Sequence, residues 1–133
     1  MAFLCDTNII SEVMRRQPQP RVSQWISQQE KIYLSVITVE EIYYGLAYKE
    51  AKRQLEWFEK FIRWRAEILP VTLAIVRRCG LWRGEFRRQG LARTQADLLI
   101  AATAEVHALT LVTRNTSDFE GCNLQLFNPF THP

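Results

Sequence analysis

Along the chain, short unbroken apolar runs alternate with stretches whose hydrophobic residues recur every three or four positions. That alternation predicts strands separated by helices. Ala2-Phe3-Leu4-Cys5 predicts a first strand over 2–6. Ile9, Ile10 and Val13 follow on a helix over 8–15, and Gln17-Pro18-Gln19-Pro20 ends it, because proline cannot continue a helix. Val22, Trp25 and Ile26 predict a helix over 21–28, and Ile32-Tyr33-Leu34-Ser35 a second strand. Two helices follow, over 38–48 with Ile42 and Leu46 and over 50–64 with Leu55, Phe58 and Ile62. Ile68-Leu69-Pro70-Val71 reads as a short strand or an extended connection. Ile75, Cys79, Trp82 and Phe86 form one apolar stripe at helical spacing, and Gln89-Gly90 closes that helix. The Ala-rich stretch over 95–107 predicts a helix packed close on a sheet, 109–113 a buried strand, and 124–127 a last strand.

Strands that alternate with helices in this way argue for an α/β fold, a mostly parallel sheet with helices on both faces. Such a sheet brings three acids to one edge. Asp6 ends the first strand, Glu41 opens the helix after the second, and Asp118 lies five residues past Thr113, where the 109–113 strand ends. Asp97 starts the helix that runs back from that edge. Ligand sites of open α/β sheets lie at this carboxyl edge. Each acid also has a purely structural explanation. Asp6 reads equally as a helix N-cap, Glu41 as the partner of Thr38 in a capping box, Asp97 as a similar partner of Thr94, and Asp118 as part of a turn.

Composition sharpens the question. The chain has eleven Glu but only three Asp, so each Asp calls for a specific reason. Thirteen of the 17 basic residues are Arg, the better phosphate-binding side chain. Arg77, Arg78, Arg83, Arg87, Arg88 and Arg93 crowd one region, which reads either as a solvated helix face or as a polyanion-binding surface. At 133 residues the expectation is one domain over the whole chain. There is no membrane-length apolar run and no export signal. The odd count of three widely spaced Cys adds to an expectation of reduced thiols in a cytoplasmic protein.

Several carboxylates in one cleft repel strongly unless a divalent cation joins them. Hard oxygen ligands suit Mg²⁺ or Mn²⁺ and disfavour zinc, and such an ion polarises a phosphodiester and activates water. Acid–base chemistry on His107 and His132 is a poor alternative, since nothing pairs them. The absence of a Gly-rich phosphate loop argues against an ATP or dinucleotide enzyme.

The motifs FLCDTNIISE, LSVITVEEIYYG, ADLLIAATAEVHALTLVTRN and TRNTSDFEGCNLQLFNPF, in that order, resemble the PIN-domain family and its VapC/FitB-type toxins, also described as plasmid-stability proteins. The resemblance runs from residue 2 to about 130. It implies a three-layer α/β/α sandwich and a Mg²⁺-dependent ribonuclease, with Asp6, Glu41, Asp97 and Asp118 as metal-holding and catalytic acids. Glu41 fits the pattern better than Glu40, and the last acid competes with Asn115 for the fourth place. Thr7, Asn8, Thr113 and Asn115 are expected to support the acids, and Arg83, Arg87, Arg93 and Arg114 to grip RNA phosphates. The likeness further implies a small cognate antitoxin lying in a hydrophobic groove, and a homodimer or toxin–antitoxin assembly. Promoter DNA would be reached only through the antitoxin. Tyr43, Tyr44, Trp57, Phe58, Trp64 and Trp82 are candidates for that groove, for a dimer face or for plain core. Two other readings stand beside the toxin: a catalytically silent PIN-fold module that binds a partner, and a haloacid-dehalogenase-type phosphatase. The phosphatase wants a second Asp two residues after the first, where this chain has Asn8.

Overall fold

A computed structural model describes residues 1–131. Among these residues five strands form one all-parallel sheet: β1 (Phe3–Cys5), β2 (Ile32–Ser35), β3 (Ala66–Leu69), β4 (Thr110–Val112) and β5 (Leu126–Phe127). Their order across the sheet is β3-β2-β1-β4-β5. Six α-helices accompany them among the described residues: α1 (Thr7–Val13), α2 (Pro20–Ser27), α3 (Val36–Lys49), α4 (Lys52–Trp64), α5 (Leu73–Arg88) and α6 (Gln95–Val106).

Side chains alternate across a strand, so the short apolar runs feed two cores at once. Leu4, Leu69 and Leu111 pack with α5 and α6, around Ile75, Cys79, Trp82, Phe86, Leu98 and Ala101. Their neighbours Cys5, Ile32, Leu34 and Val112 face the other way, onto Ile9, Ile10, Val22, Ile42 and Phe58 of α1 to α4. The result is the expected α/β/α sandwich. The α5 stripe read from sequence is core throughout, and Phe58 and Trp82 are core as well. Tyr44, Trp57 and Trp64 are exposed.

Boundaries moved where local capping overrides periodicity. Helix α3 begins at Val36, because the Ser35 hydroxyl accepts a hydrogen bond from the Ile37 amide and caps it. Thr38 and Glu41 therefore lie inside the helix, and the capping box expected from their spacing does not form. Helix α1 likewise starts at Thr7, directly after the strand, and β5 is only two residues long.

The strand order sets the site. From β1 the chain fills one side of the sheet with β2 and β3, then returns to the other side of β1 with β4 and β5. The crevice beyond the carboxyl ends of β1 and β4 is thus a topological switch point, where neighbouring connections diverge and leave a gap.

Candidate active site at the switch point

Asp6 is the first residue beyond β1, and its amide donates to the Val112 carbonyl at 2.8 Å, continuing the ladder to β4. It is also the N-cap of α1, since Oδ1 accepts from the Thr7 amide at 2.8 Å. The capping reading is therefore correct, and it uses only one of the two carboxylate oxygens. Oδ2 accepts from the Thr113 hydroxyl at 2.8 Å and from the Asn8 side-chain amide at 3.3 Å. Position 8 supplies a donor to the acid, not the second acid that the phosphatase reading requires.

Glu41 reaches the same place from α3. Its Oε1 accepts from the Thr7 hydroxyl at 2.6 Å, and Thr38 Oγ1 stands 3.1 Å from that hydroxyl. Thr94 caps α6 by accepting from the Asp97 amide at 3.1 Å, which sets Asp97 in the first helical turn. A carboxylate is favoured there by the positive end of the helix dipole. The loop after β4 brings Asn115 and Asp118, the latter in a short 3₁₀ turn over Thr116–Phe119. The Asn115 amide donates to Thr113 Oγ1 at 3.1 Å, so the residue that holds Asp6 also shapes this loop.

Asp6, Glu41, Asp97, Asn115 and Asp118 line one open cleft of about 520 Å³. Asn115 and Asp118, the two candidates for the fourth place, both line it. Asp6 is only 5% exposed. Burial is the main reason its pKa rises from the usual 3.8 to about 6; the charges of Asp97 and Glu41 add to the rise, and the bonds from Thr113 and Thr7 oppose it. The neighbouring Cys5 thiol is driven far above its ordinary range by burial, with Asp6 adding, so it offers no thiolate. Among the described residues, no three Asp, Glu, His or Cys side chains are drawn tightly enough together to enclose an ion as they stand. The donors facing the cleft are nevertheless carboxylate and amide oxygens, a set that matches a hard divalent cation.

The arginines expected to grip phosphates are not part of this cleft. Arg83, Arg87 and Arg93 line a separate recess. Arg93 is committed to structure, donating to the Ser117 carbonyl at 3.0 Å and the Glu120 carbonyl at 3.2 Å while its guanidinium covers Phe86. Arg114 lies with its guanidinium 4.6 Å from the centre of the Phe130 ring. In their place the cleft holds Arg15 and Lys49, which sequence reading missed, together with Glu12. The signal was present in helical spacing: Lys49 lies two turns after Glu41, on the same side of α3. His107 caps the end of α6, and His132 lies outside the described residues.

A parallel α/β sandwich with acids from four separate segments at its switch point defines a carboxylate-cleft protein. The chain belongs to the PIN domain family, whose model matches residues 3–120. It is 35% identical to the VapC ribonuclease Y4jK of Sinorhizobium fredii, covering 96% of this chain and 97% of that protein. It is 36% identical to the toxin FitB of Neisseria gonorrhoeae, over 96% and 98% of the two. The crystal structure of FitAcB from Neisseria gonorrhoeae matches with a TM-score of 0.82 and 33% identity, covering 98% of this chain and 99% of that one. Among the described residues no helix is long and apolar enough to cross a membrane.

Proposed function

We propose that this protein is a VapC-type ribonuclease toxin that hydrolyses RNA phosphodiester bonds with Mg²⁺, for which Mn²⁺ can substitute, and that a small antitoxin silences it. The observation that carries this reading is the convergence of Asp6, Glu41, Asp97 and Asp118, from four chain segments, on one open cleft. Ribonuclease and toxin relatives that cover nearly the whole chain support it.

Asp6, Glu41 and Asp97 would hold the ion, with Asp118 and Asn115 on the facing wall. The ion would polarise the phosphodiester and make bound water a nucleophile near neutral pH. The chain's own part is orientation. Thr113 and Asn8 fix Oδ2 of Asp6, and Thr7 fixes Glu41, as outer hydrogen bonds do for metal-binding carboxylates generally. The open cleft admits a flexible single strand to the acids. An antitoxin that covers the cleft would bar RNA, and contact with promoter DNA would run through that partner.

The test is cleavage of a labelled transfer-RNA and structured-RNA panel by antitoxin-free protein with Mg²⁺ or Mn²⁺, beside Asp97→Asn and EDTA controls. Discrete cuts that vanish in both controls, with circular dichroism unchanged, are expected. A folded wild type that cuts nothing would instead favour the partner-binding module.

A further inference from the structure

The cleft does not end at the acids. Arg15, Ser11, Glu41 and Lys49 line both the acidic cleft and a narrower recess between α1 and α3. Arg15, Met14 and Gln54 then pass from that recess into a third, which reaches Arg16, Arg53 and Trp57. Three adjoining recesses with shared walls thus run as a groove from the carboxylates, past α1 and the α3–α4 pair, to Trp57.

We propose that this groove holds the flank of a single-stranded RNA substrate, with Arg15 and Lys49 on the phosphates nearest the cleavage point, Arg16 and Arg53 on those farther out, and Trp57 as a platform for a base. The inference rests on the ribonuclease reading and adds a path for the substrate.

Charge is the first argument. Arg15, Arg16, Lys49 and Arg53 are all exposed, and beyond the acidic cleft Glu41 is, among the described residues, the only acid lining the groove. Among the described residues Arg16, Lys49 and Arg53 make no ion pair. Arg15 does, and its pair works as an anchor. Glu12, only 6% exposed, accepts from the Gln19 amide at 2.8 Å and from the Arg15 guanidinium at 3.2 Å, fixing a cation where groove and cleft join. Four positive charges along a groove suit a polyanion and repel a basic peptide.

The second argument is shape. Trp57 is 39% exposed and stacks on Phe61, with ring centres 4.9 Å apart and an interplanar angle of 15°. An aromatic ring so backed, beside cations, is the usual platform for an unpaired base. Gly45 lines the middle of the groove, and a Cβ added there would meet no atom within 4 Å. The backbone thus leaves the space open without any structural need to do so.

The experiment uses antitoxin-free protein and a labelled single-stranded RNA long enough to run the groove. Fluorescence anisotropy in EDTA reads binding without cleavage, and kcat/KM with Mg²⁺ is read in parallel. Gly45→Leu fills the groove and replaces a glycine with a better helix former, so loss of fold does not confound it. Arg53→Glu reverses one groove charge, and Arg83→Glu reverses one in the separate recess. Gly45→Leu, Arg53→Glu and Trp57→Ala should each weaken RNA binding about 10-fold or more, while Arg83→Glu changes it far less. Unchanged binding in the groove variants, or an equal effect of Arg83→Glu, overturns the proposal. Loss of antitoxin binding with RNA binding intact would give the groove to a protein partner. Should the wild type bind RNA through the groove yet cleave none, the ribonuclease reading falls and the groove stands. A wild type that binds no RNA overturns both.

Discussion

The Thr113 hydroxyl donates to Asp6 Oδ2 at 2.8 Å, tying together residues 107 apart in sequence at the carboxyl ends of two adjacent strands. Both residues are buried, and the bond links the ends of the two strands that flank the switch point. Thr113 is fully buried and serves twice, because its oxygen also accepts from the Asn115 amide.

Thr113→Val keeps the shape and removes the hydroxyl. It should cost about 1–3 kcal/mol of stability, the penalty for leaving buried polar groups without a partner. Cleavage should fall roughly 10- to 100-fold, as when an outer hydrogen bond to a metal-binding group is lost. Thr113→Ser should restore most of both. Paired urea melts and initial rates test this, and a fully active valine variant would show that Asp6 needs no such support.

Asp6 predicts an unusual pH dependence for the metal-free protein. Its pKa is about 6 in the fold against 3.8 ordinarily, so the fold prefers the protonated acid. That contribution is fully present below about pH 4, declines as pH rises, and is lost above about pH 6. Its size is at most on the order of 3 kcal/mol. In EDTA, Asp6→Asn should melt higher than wild type at pH 7.5 and close to it at pH 4.5. Mg²⁺ should raise the wild-type Tm at pH 7.5 and leave the variant nearly unmoved. Parallel Tm-against-pH curves for the two proteins would contradict this.

The glycines separate fold from site. Gly121 has φ +89°, and a Cβ there would stand 2.9 Å from the Phe86 ring. Gly121→Ala should therefore destabilise by about 1–3 kcal/mol, through backbone strain and overpacking together. Gly84 lies within α5 with open space around it, so Gly84→Ala should stabilise by about 0.5–1 kcal/mol. Thermal melts of both variants decide, and a destabilising Gly84→Ala would mean that this helix face needs its bareness.

The two-sided sheet was legible because three- and four-residue apolar runs have no other use than strands buried on both faces. The convergence of the acids could be anticipated from the topology alone: Asp6 follows a strand, Asp97 lies in the first turn of a helix, and Glu41 and Asp118 lie in the connections after two further parallel strands, all at one edge. At Asp6 the bland and the chemical readings need not compete: one oxygen caps α1 while the other is held by Thr113 and Asn8, and the residue lines the cleft. Glu41 shows the opposite case. Its capping-box spacing was accidental, because Ser35 had already capped the helix and the Thr7 hydroxyl claimed the carboxylate. The cations of the cleft itself, Arg15 and Lys49, were not legible, for a physical reason. Sequence density drew attention to the arginines of α5, whereas proximity depends on how α1 and α3 cross the cleft, which no local pattern encodes. Arg93 looked like a phosphate ligand and instead braces the turn that carries Asp118.

Glu40 and Glu41 offer the sharpest test of the ligand set, since neighbours on a helix point about 100° apart. Glu40 is exposed, while Glu41 is half-buried and bonded to Thr7 at 2.6 Å. Glu41→Gln keeps an oxygen for the Thr7 hydroxyl and loses the charge, so folding should be preserved while cleavage drops at least about 100-fold. Thr7→Val leaves the charge and frees its direction, for a loss of about 10-fold. Glu40→Gln, a surface change, should stay within about twofold of wild type. Single-turnover rates at saturating Mg²⁺, with Mg²⁺ titrations beside them, distinguish the three. Glu41→Gln should raise the Mg²⁺ needed for half-maximal rate, and Glu40→Gln should not. If the two glutamates exchanged these behaviours, α3 would have to present a different face to the cleft from the one that the Thr7 bond fixes.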